Sequence, residues 1–96
     1  MSTPERFKLT YRVLPSHLQN TKDAIFAAGA GIHAEGKYIQ VAFEASGYGQ
    51  FVPVGEAGAN PHTGTAGKLE RVMEVEVGVV CEGRELTRRV VEALKV

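Results

Sequence analysis

Alternation of apolar and polar positions predicts two regular β-strands in this chain. Between residues 7 and 13 every second side chain is apolar, which is typical of a strand with one buried face. The clearest alternation lies between residues 68 and 81, where Val75, Val77 and Val79 are separated by glutamate or glycine. Both segments therefore predict strands of a sheet that is covered on one side only.

A third strand is predicted from Tyr38 to Ala45, because alternate apolar side chains from Ile39 to Phe43 would share one face. Two glycines, Gly47 and Gly49, follow this segment closely. Glycine inside a strand often marks a bulge, so we expect a bend there, with pairing resumed at residues 50–52.

A period of three to four residues predicts two helices. The first runs from Leu18 to Ala28 and is followed directly by a glycine that can close it. The second runs from Arg84 to Lys95 and places Leu86, Val90 and Leu94 on one stripe, with charged residues largely outside it.

The order strand, helix, strand, strand, helix predicts the fold class. We expect a single α+β domain over residues 1–96, with a ferredoxin-like sheet and both helices on one face. The closing fourth strand of that topology has no counterpart in the sequence. The first strand would then be an open edge with unpaired backbone groups, and we expect another chain to cover it.

Charge and composition reduce the range of functions. Eleven basic residues balance eleven acidic ones, whereas nucleic-acid binding depends on a basic excess, so no nucleic-acid partner is expected. The longest run of apolar residues and glycine, residues 24–32, is too short to span a bilayer. With no segment resembling a signal peptide, we expect a cytoplasmic protein without a membrane partner. Cys81, the single cysteine, is interpreted as a small buried residue.

Nine of the eleven glycines lie between Gly29 and Gly67, which indicates an elaborate loop system in the middle of the chain. Residues 53–67 form a longer connection than most, and we expect it to be ordered. One interpretation is a loop packed against itself or against another subunit. The other is a concavity of exposed amides that binds an anion or a small molecule. Its candidate ligand-binding residues are Asn60, His62, Gly64, Gly67 and Lys68.

Several of these segments resemble one known family. The stretch from Phe7 to Gly31, the run Gly47-Tyr48-Gly49-Gln50-Phe51, the run Gly58-Ala59-Asn60-Pro61-His62 and the stretch from Gly64 to Glu70 are together similar to the small PII/CutA-like domain of the Nif-three-like family. The resemblance covers the chain from Phe7 to Lys95. It implies a ferredoxin-like domain that assembles into oligomers, often trimers.

The same resemblance implies no metal and no cofactor here, because the dimetal site of the longer family members belongs to a separate domain. Family members often carry a His-Cys pair where this sequence has Gln40-Val41. They usually continue after the last helix into a His-Pro-Tyr-Glu-Glu-Pro segment and a final strand, which the present sequence lacks. The resemblance is therefore to a shortened or truncated form.

Three glutamates, Glu70, Glu74 and Glu76, would share one strand face. We interpret them as an exposed row that Lys8 and Arg12 of a neighbouring strand neutralise, and not as a general acid–base pair, which would need burial.

No candidate nucleophile stands beside a base, and the three histidines lack metal-ligand spacing, so no catalytic or metal site is expected. We therefore expect a non-catalytic, self-associating domain with a regulatory or assembly role. A homotrimer is favoured over a dimer, and Tyr11, Tyr48 and Phe51 are the candidate interface residues. The alternative is a small-molecule or anion sensor that binds in clefts between subunits near the Gly58–Lys68 loop.

Overall fold

The computed structural model of the chain describes residues 4–59 and 64–95. Strands and helices follow one another in the predicted order. They are β1 (Arg6–Val13), α1 (Leu18–Ala27), β2 (Phe43–Phe51), β3 (Glu70–Glu82) and α2 (Arg84–Leu94). Short 3₁₀ turns at Pro15–His17, Ala34–Gly36 and Gly55–Ala57 lie in the connections.

The three strands form one antiparallel sheet in the order β1-β3-β2. This is the order that the first three strands of a ferredoxin-like sheet have, and the predicted α+β fold class is confirmed. Within residues 4–59 and 64–95 no fourth strand joins the sheet, so β1 forms one edge and β2 the other. The open edge that the sequence predicts at the first strand is therefore present.

The core lies between one face of the sheet and the two helices. Alternation in β3 directs its odd-numbered side chains to this inner face, and from Val75 to Cys81 these side chains are buried in the core. The buried residues are Ile25 of α1, Val90 of α2, Ala30, and Val75, Val77, Val79 and Cys81 of β3. Full burial of one such aliphatic side chain stabilises the fold by about 1.5–3 kcal/mol.

The turn from β3 into α2 depends on Gly83. Its φ of 87° lies in the left-handed region that glycine adopts at little cost. The Gly83 amide donates a 2.7 Å hydrogen bond to the Glu5 carbonyl, and its carbonyl accepts one of 2.7 Å from the Thr87 hydroxyl. The start of α2 is thereby tied to the end of β3 and, through Glu5, to the residue before β1.

The second strand begins later than the alternation predicts, at Phe43 instead of Tyr38. Residues 38–42 belong to a loop that Gly31 holds in place. The Gly31 amide donates to the Val80 carbonyl at 2.9 Å, and the Gly31 carbonyl accepts from the Val41 amide at 2.9 Å. Because Gln40 has a φ of 55°, the extended backbone is interrupted three residues before β2 begins.

The predicted bend at Gly47 and Gly49 is wrong. β2 and β3 pair in one uninterrupted register, from Phe43 opposite Gly78 to Phe51 opposite Glu70. Neither glycine has a positive φ, so the backbone is ordinary strand. The missing side chains instead leave room on the sheet face, and the Glu74 carboxylate lies over Gly49.

Candidate functional site

A difference in strand length creates a two-stranded arm. β1 pairs with β3 only from Val75 to Glu82, whereas β2 pairs with β3 as far as Glu70. In the described part of the chain, residues 47–51 and 70–74 therefore have no third strand beside them. We call these two segments, with the described residues of the loop between them, the β2–β3 arm. The molecule measures 56 × 23 × 19 Å, which is elongated for its length.

The arm lies outside the core and is rich in exposed apolar side chains. Every buried residue of β3 lies at Val75 or later. Of the eleven large apolar residues exposed in residues 4–59 and 64–95, six belong to the arm. They are Tyr48, Phe51, Val52, Val54, Leu69 and Met73. A two-stranded hairpin is at best marginally stable by itself in water, so burial of these side chains would stabilise the arm.

On the inner face of the arm, Tyr48 lies opposite Met73 and Gln50 opposite Arg71. The Arg71 guanidinium carbon is 4.6 Å from the centre of the Tyr48 ring, which is cation–π geometry. This contact orients an aromatic side chain that is 66% exposed. The arm therefore presents an exposed aromatic residue on the helix side of the sheet.

On the outer face, Gly47, Gly49 and Phe51 follow one another along β2. Gly47 leaves strand backbone open on this face, whereas the Glu74 carboxylate lies over Gly49. A depression of about 370 Å³ lies beside them, and Phe51, Gly49, Val72, Glu74, Arg12 and Leu14 are among its lining residues. Because no side chain covers the strand backbone at Gly47, another polypeptide can approach it closely there.

The predicted row of glutamates is present, and its partners differ in part from the prediction. All three face away from the helices, since Glu76 lies opposite Arg12, and Glu74 and Glu70 lie opposite outer-face residues of β2. The Arg12 and Glu76 side chains are 3.4 Å apart. Lys8 lies opposite Val80 instead of a glutamate. The ion pair is largely exposed and so contributes little to stability.

The predicted interface residue Tyr11 faces the helices. Its ring is half-buried against the core, and its hydroxyl donates a 3.0 Å hydrogen bond to the Thr21 hydroxyl of α1. The Thr21 hydroxyl in turn donates to the Leu18 carbonyl at 2.9 Å. Tyr48 and Phe51, the other two candidates, are exposed on the arm. The structure therefore brings Tyr48 and Phe51 together on one element and separates Tyr11 from them.

Of the predicted ligand-binding residues, Gly64, Gly67 and Lys68 are exposed, and Asn60 and His62 lie outside the described residues. The Gly67 amide donates to the Pro53 carbonyl at 2.7 Å, and the Lys68 amide donates to the Thr65 carbonyl at 3.1 Å. These two amides are thus engaged within the loop. Ligand binding at this loop stays a prediction.

The remaining reactive groups are dispersed. In residues 4–59 and 64–95, no group of three or more histidine, cysteine, aspartate or glutamate side chains could hold a metal ion. Burial raises the pKa of the Cys81 thiol, and a hydrogen bond with Thr87 opposes this only in part. Cys81 is therefore a protonated core residue at neutral pH, as its interpretation from sequence proposes.

Sequence reasoning did not identify the arm as a unit. The signal was present, however, because the alternation at residues 68–81 covers about twice as many residues as that at residues 7–13. Pro15 fixes where the first strand must end. The difference in length between two paired strands is what leaves part of the longer one without a second neighbour.

The fold and the site together define a class of protein. Over residues 4–59 and 64–95 the chain is an α+β domain with a three-stranded antiparallel sheet, two helices on one face and a projecting hairpin. No helix in the described part is both long and apolar enough to cross a membrane.

Comparison with known proteins identifies the family. No protein-family model matches the chain. It is 36% identical over 85 residues to the GTP cyclohydrolase 1 type 2 homolog of Halalkalibacterium halodurans, covering 88% of this chain and 22% of that protein. It is 41% identical over 68 residues to the Mycobacterium leprae protein of the same name, covering 71% of this chain and 17% of that one.

A comparison with solved structures leads to the same family as the sequence relatives do. The Bacillus cereus protein related to NIF3 superposes with a TM-score of 0.74 at 30% identity, over 98% of this chain and 22% of that one. The chain thus spans about a fifth of the length of the relatives it matches. It is a member of the Nif-three-like family by homology to one domain-sized segment of the longer proteins.

Proposed function

We propose that this chain is a non-catalytic, self-associating domain of PII/CutA-like type whose subunit contacts are made by the β2–β3 arm. One observation carries the proposal: the hairpin extends beyond the core with exposed aromatic residues and open strand edges. Exposed apolar clusters on small domains mark interaction sites. The zero formal net charge also removes long-range repulsion between copies.

The distribution of polar groups supports a role without catalysis. No polar or charged side chain is buried in residues 4–59 and 64–95. Acid–base and nucleophilic catalysis use groups whose pKa is changed by burial or by close charged neighbours. The relatives are called homologs of a cyclohydrolase, and the segment shared with them is a small part of their length. We therefore assign this segment an assembly or regulatory role.

Two tyrosines provide a matched test. Tyr48 lies on the arm and is 66% exposed, whereas Tyr38 lies in the loop before β2 and is 64% exposed. Light scattering after size-exclusion chromatography should show that Tyr48→Ser shifts the molar mass toward the monomer at concentrations where Tyr38→Ser leaves it unchanged. Equal effects of the two substitutions would contradict the proposal that the arm makes the contact.

A further inference from the structure

Three basic side chains lie on the outer face of β1, and two of them form ion pairs across the sheet. Arg6 lies opposite Glu82, with the two side chains 3.6 Å apart. Arg12 lies opposite Glu76 at 3.4 Å. The sheet itself therefore supplies a carboxylate to each arginine of this row.

Lys8, the third basic side chain of the row, lies opposite Val80 and not opposite a glutamate. Within residues 4–59 and 64–95 it forms no ion pair. Its stem lies across β3, because a Cβ added at Gly78 would be 3.5 Å from the Lys8 Cε. Lys8 thus contributes a positive charge to a part of the sheet face that has no carboxylate opposite it.

Beside Lys8 the outer face has a depression of about 240 Å³. Its lining residues include Lys8, His33, Val41, Phe43, Gly78 and Val80. The depression has the volume of about eight water molecules, which is room for one ring or a short branched chain. It therefore combines an apolar floor with one ammonium group at its border.

The loop before β2 forms the other side of the depression. Its Gly31 amide donates a 2.9 Å hydrogen bond to the Val80 carbonyl, so the loop lies where β2 would otherwise continue. His33 follows in the same loop, and its backbone is paired with that of Tyr38. His33 and Lys8 therefore approach the depression from opposite sides of β3. An imidazole has an N–H group in either protonation state, so His33 can donate to an anion.

From these observations we infer that the depression binds a small carboxylate with an apolar body, such as an aromatic or branched short-chain acid. The Lys8 ammonium binds the carboxylate, which completes the row of ion pairs on this face. The apolar body lies on Gly78 and Val80, beside the Phe43 ring. Because this site lies outside the β2–β3 arm, the inference does not depend on the proposed self-association.

The charge and the shape of the depression favour this class over other anions. One ammonium matches the single charge of a carboxylate, whereas phosphate groups are usually held by several donors, such as a bidentate arginine or a helix N-terminus. A small inorganic anion would gain nothing from the apolar floor, since the hydrophobic effect acts on apolar surface removed from water.

Benzoate is a suitable probe, because it joins a carboxylate to one flat ring. In an NMR titration of the full chain, we expect saturable shifts of the amide signals of Lys8, Phe43 and Val80. The dissociation constant should be on the order of 1–10 mM, as for other ligands of this size. Benzamide, a neutral molecule of the same shape, should bind about tenfold more weakly, because it lacks the charge-assisted hydrogen bond.

Lysine variants test which charge is used. Lys8→Gln should weaken the binding of benzoate about tenfold, whereas Lys8→Arg keeps the charge and should retain most of the affinity. Lys95→Gln removes the same charge at the end of α2 and should leave binding unchanged. Both lysines are exposed, so all three variants should fold.

A pair of glycine variants tests the floor of the depression. Gly78→Val narrows the depression and should reduce the affinity for benzoate to an extent similar to that of Lys8→Gln. Gly47→Val changes an outer-face glycine that does not line the depression, and should not reduce it. Neither glycine has a positive φ, and valine is favoured in strands, so both variants are compatible with the sheet.

Shifts at the depression that Lys8→Gln weakens and Lys95→Gln does not would support the inference. Equal affinities for benzoate and benzamide would overturn it, because the Lys8 charge would then play no part. Tighter binding of phenyl phosphate than of benzoate would overturn the assignment of a carboxylate. Shifts confined to other amides, or no saturable shifts at all, would overturn the site and leave the proposed self-association unaffected.

Discussion

The Arg71 guanidinium lies 4.6 Å from the centre of the Tyr48 ring, on the part of the hairpin that the core does not reach. The contact is diagonal between adjacent strands, because Arg71 is two residues from Met73, which lies directly opposite Tyr48. It places the guanidinium over one face of an exposed aromatic ring, at the place where we propose that a second chain approaches.

The strength of this contact can be measured with a double-mutant cycle. We expect Arg71→Ala and Tyr48→Leu to show a coupling free energy of about 0.5–1 kcal/mol in urea unfolding, as for cation–π pairs at exposed sites. Coupling should persist in high salt better than that of an ordinary surface ion pair. Strictly additive effects would show that the ring is not held by Arg71.

Packing of the hydrophobic core can be tested at Ile25, the fully buried residue of α1. Ile25→Ala removes apolar contacts between the helix and the sheet and leaves a cavity. We expect a loss of about 2–5 kcal/mol in the free energy of unfolding. Ile39→Ala, at an exposed loop position, should change it by less than about 0.5 kcal/mol. Comparable losses for the two variants would contradict the assigned core.

Alanine substitutions at two glycines distinguish the stability cost of backbone strain from that of a steric clash. Gly31 and Gly36 both have positive φ, 76° and 90°. A Cβ added at Gly31 would lie 2.7 Å from the Val41 carbonyl oxygen, whereas one at Gly36 meets nothing within 4 Å. Gly36→Ala should cost about 1–2 kcal/mol from strain alone.

We expect Gly31→Ala to cost at least about 1 kcal/mol more than Gly36→Ala, because it also displaces the backbone that positions the start of β2. Chemical denaturation of the two variants measures the difference. A smaller loss for Gly31→Ala would mean that the loop between Gly31 and Val41 is not held as described.

The pH dependence of stability should reveal the buried thiol. Because burial raises the pKa of Cys81 from its ordinary value of 9.0, the unfolded chain releases the proton at lower pH than the folded one. The contribution to stability is therefore complete well below the ordinary pKa of 9.0 and declines as the pH rises through that value toward the raised pKa of the folded chain. Cys81→Ala should remove this part of the alkaline slope, and urea unfolding between pH 7 and 10 compares the two chains. Parallel pH profiles would contradict the burial of the thiol.

Local patterns predicted the regular part of this fold well. The alternation around Val77 and the apolar stripe containing Val90 both arise because one face of the element is buried. The corresponding elements, β3 and α2, begin and end close to their predicted bounds. The order β1-β3-β2 followed from the sequence of elements. Open edges could be anticipated in the same way, because strand order decides which strand lacks a neighbour.

The second strand shows where such patterns fail. Ile39, Val41 and Phe43 alternate as they would in a strand, yet Gln40 has a positive φ. Glutamine is not a residue type that indicates such a conformation in a sequence. The glycines at 47 and 49 suggested a bend, but their effect is on the sheet face, where Glu74 fills the space over Gly49. Tyr11 lies on the strand face that the alternation predicts to be buried and packs against the core, and its role as an interface residue stays a prediction.

Self-association is the central claim, and molar mass by light scattering over a wide range of concentration tests it most directly. We expect the wild-type chain to have a mass that is a multiple of the monomer mass and to dissociate on dilution. A monomer mass throughout the range, with the hairpin of β2 and β3 still protected from hydrogen exchange, would contradict the account, because the arm would then be stable without a partner.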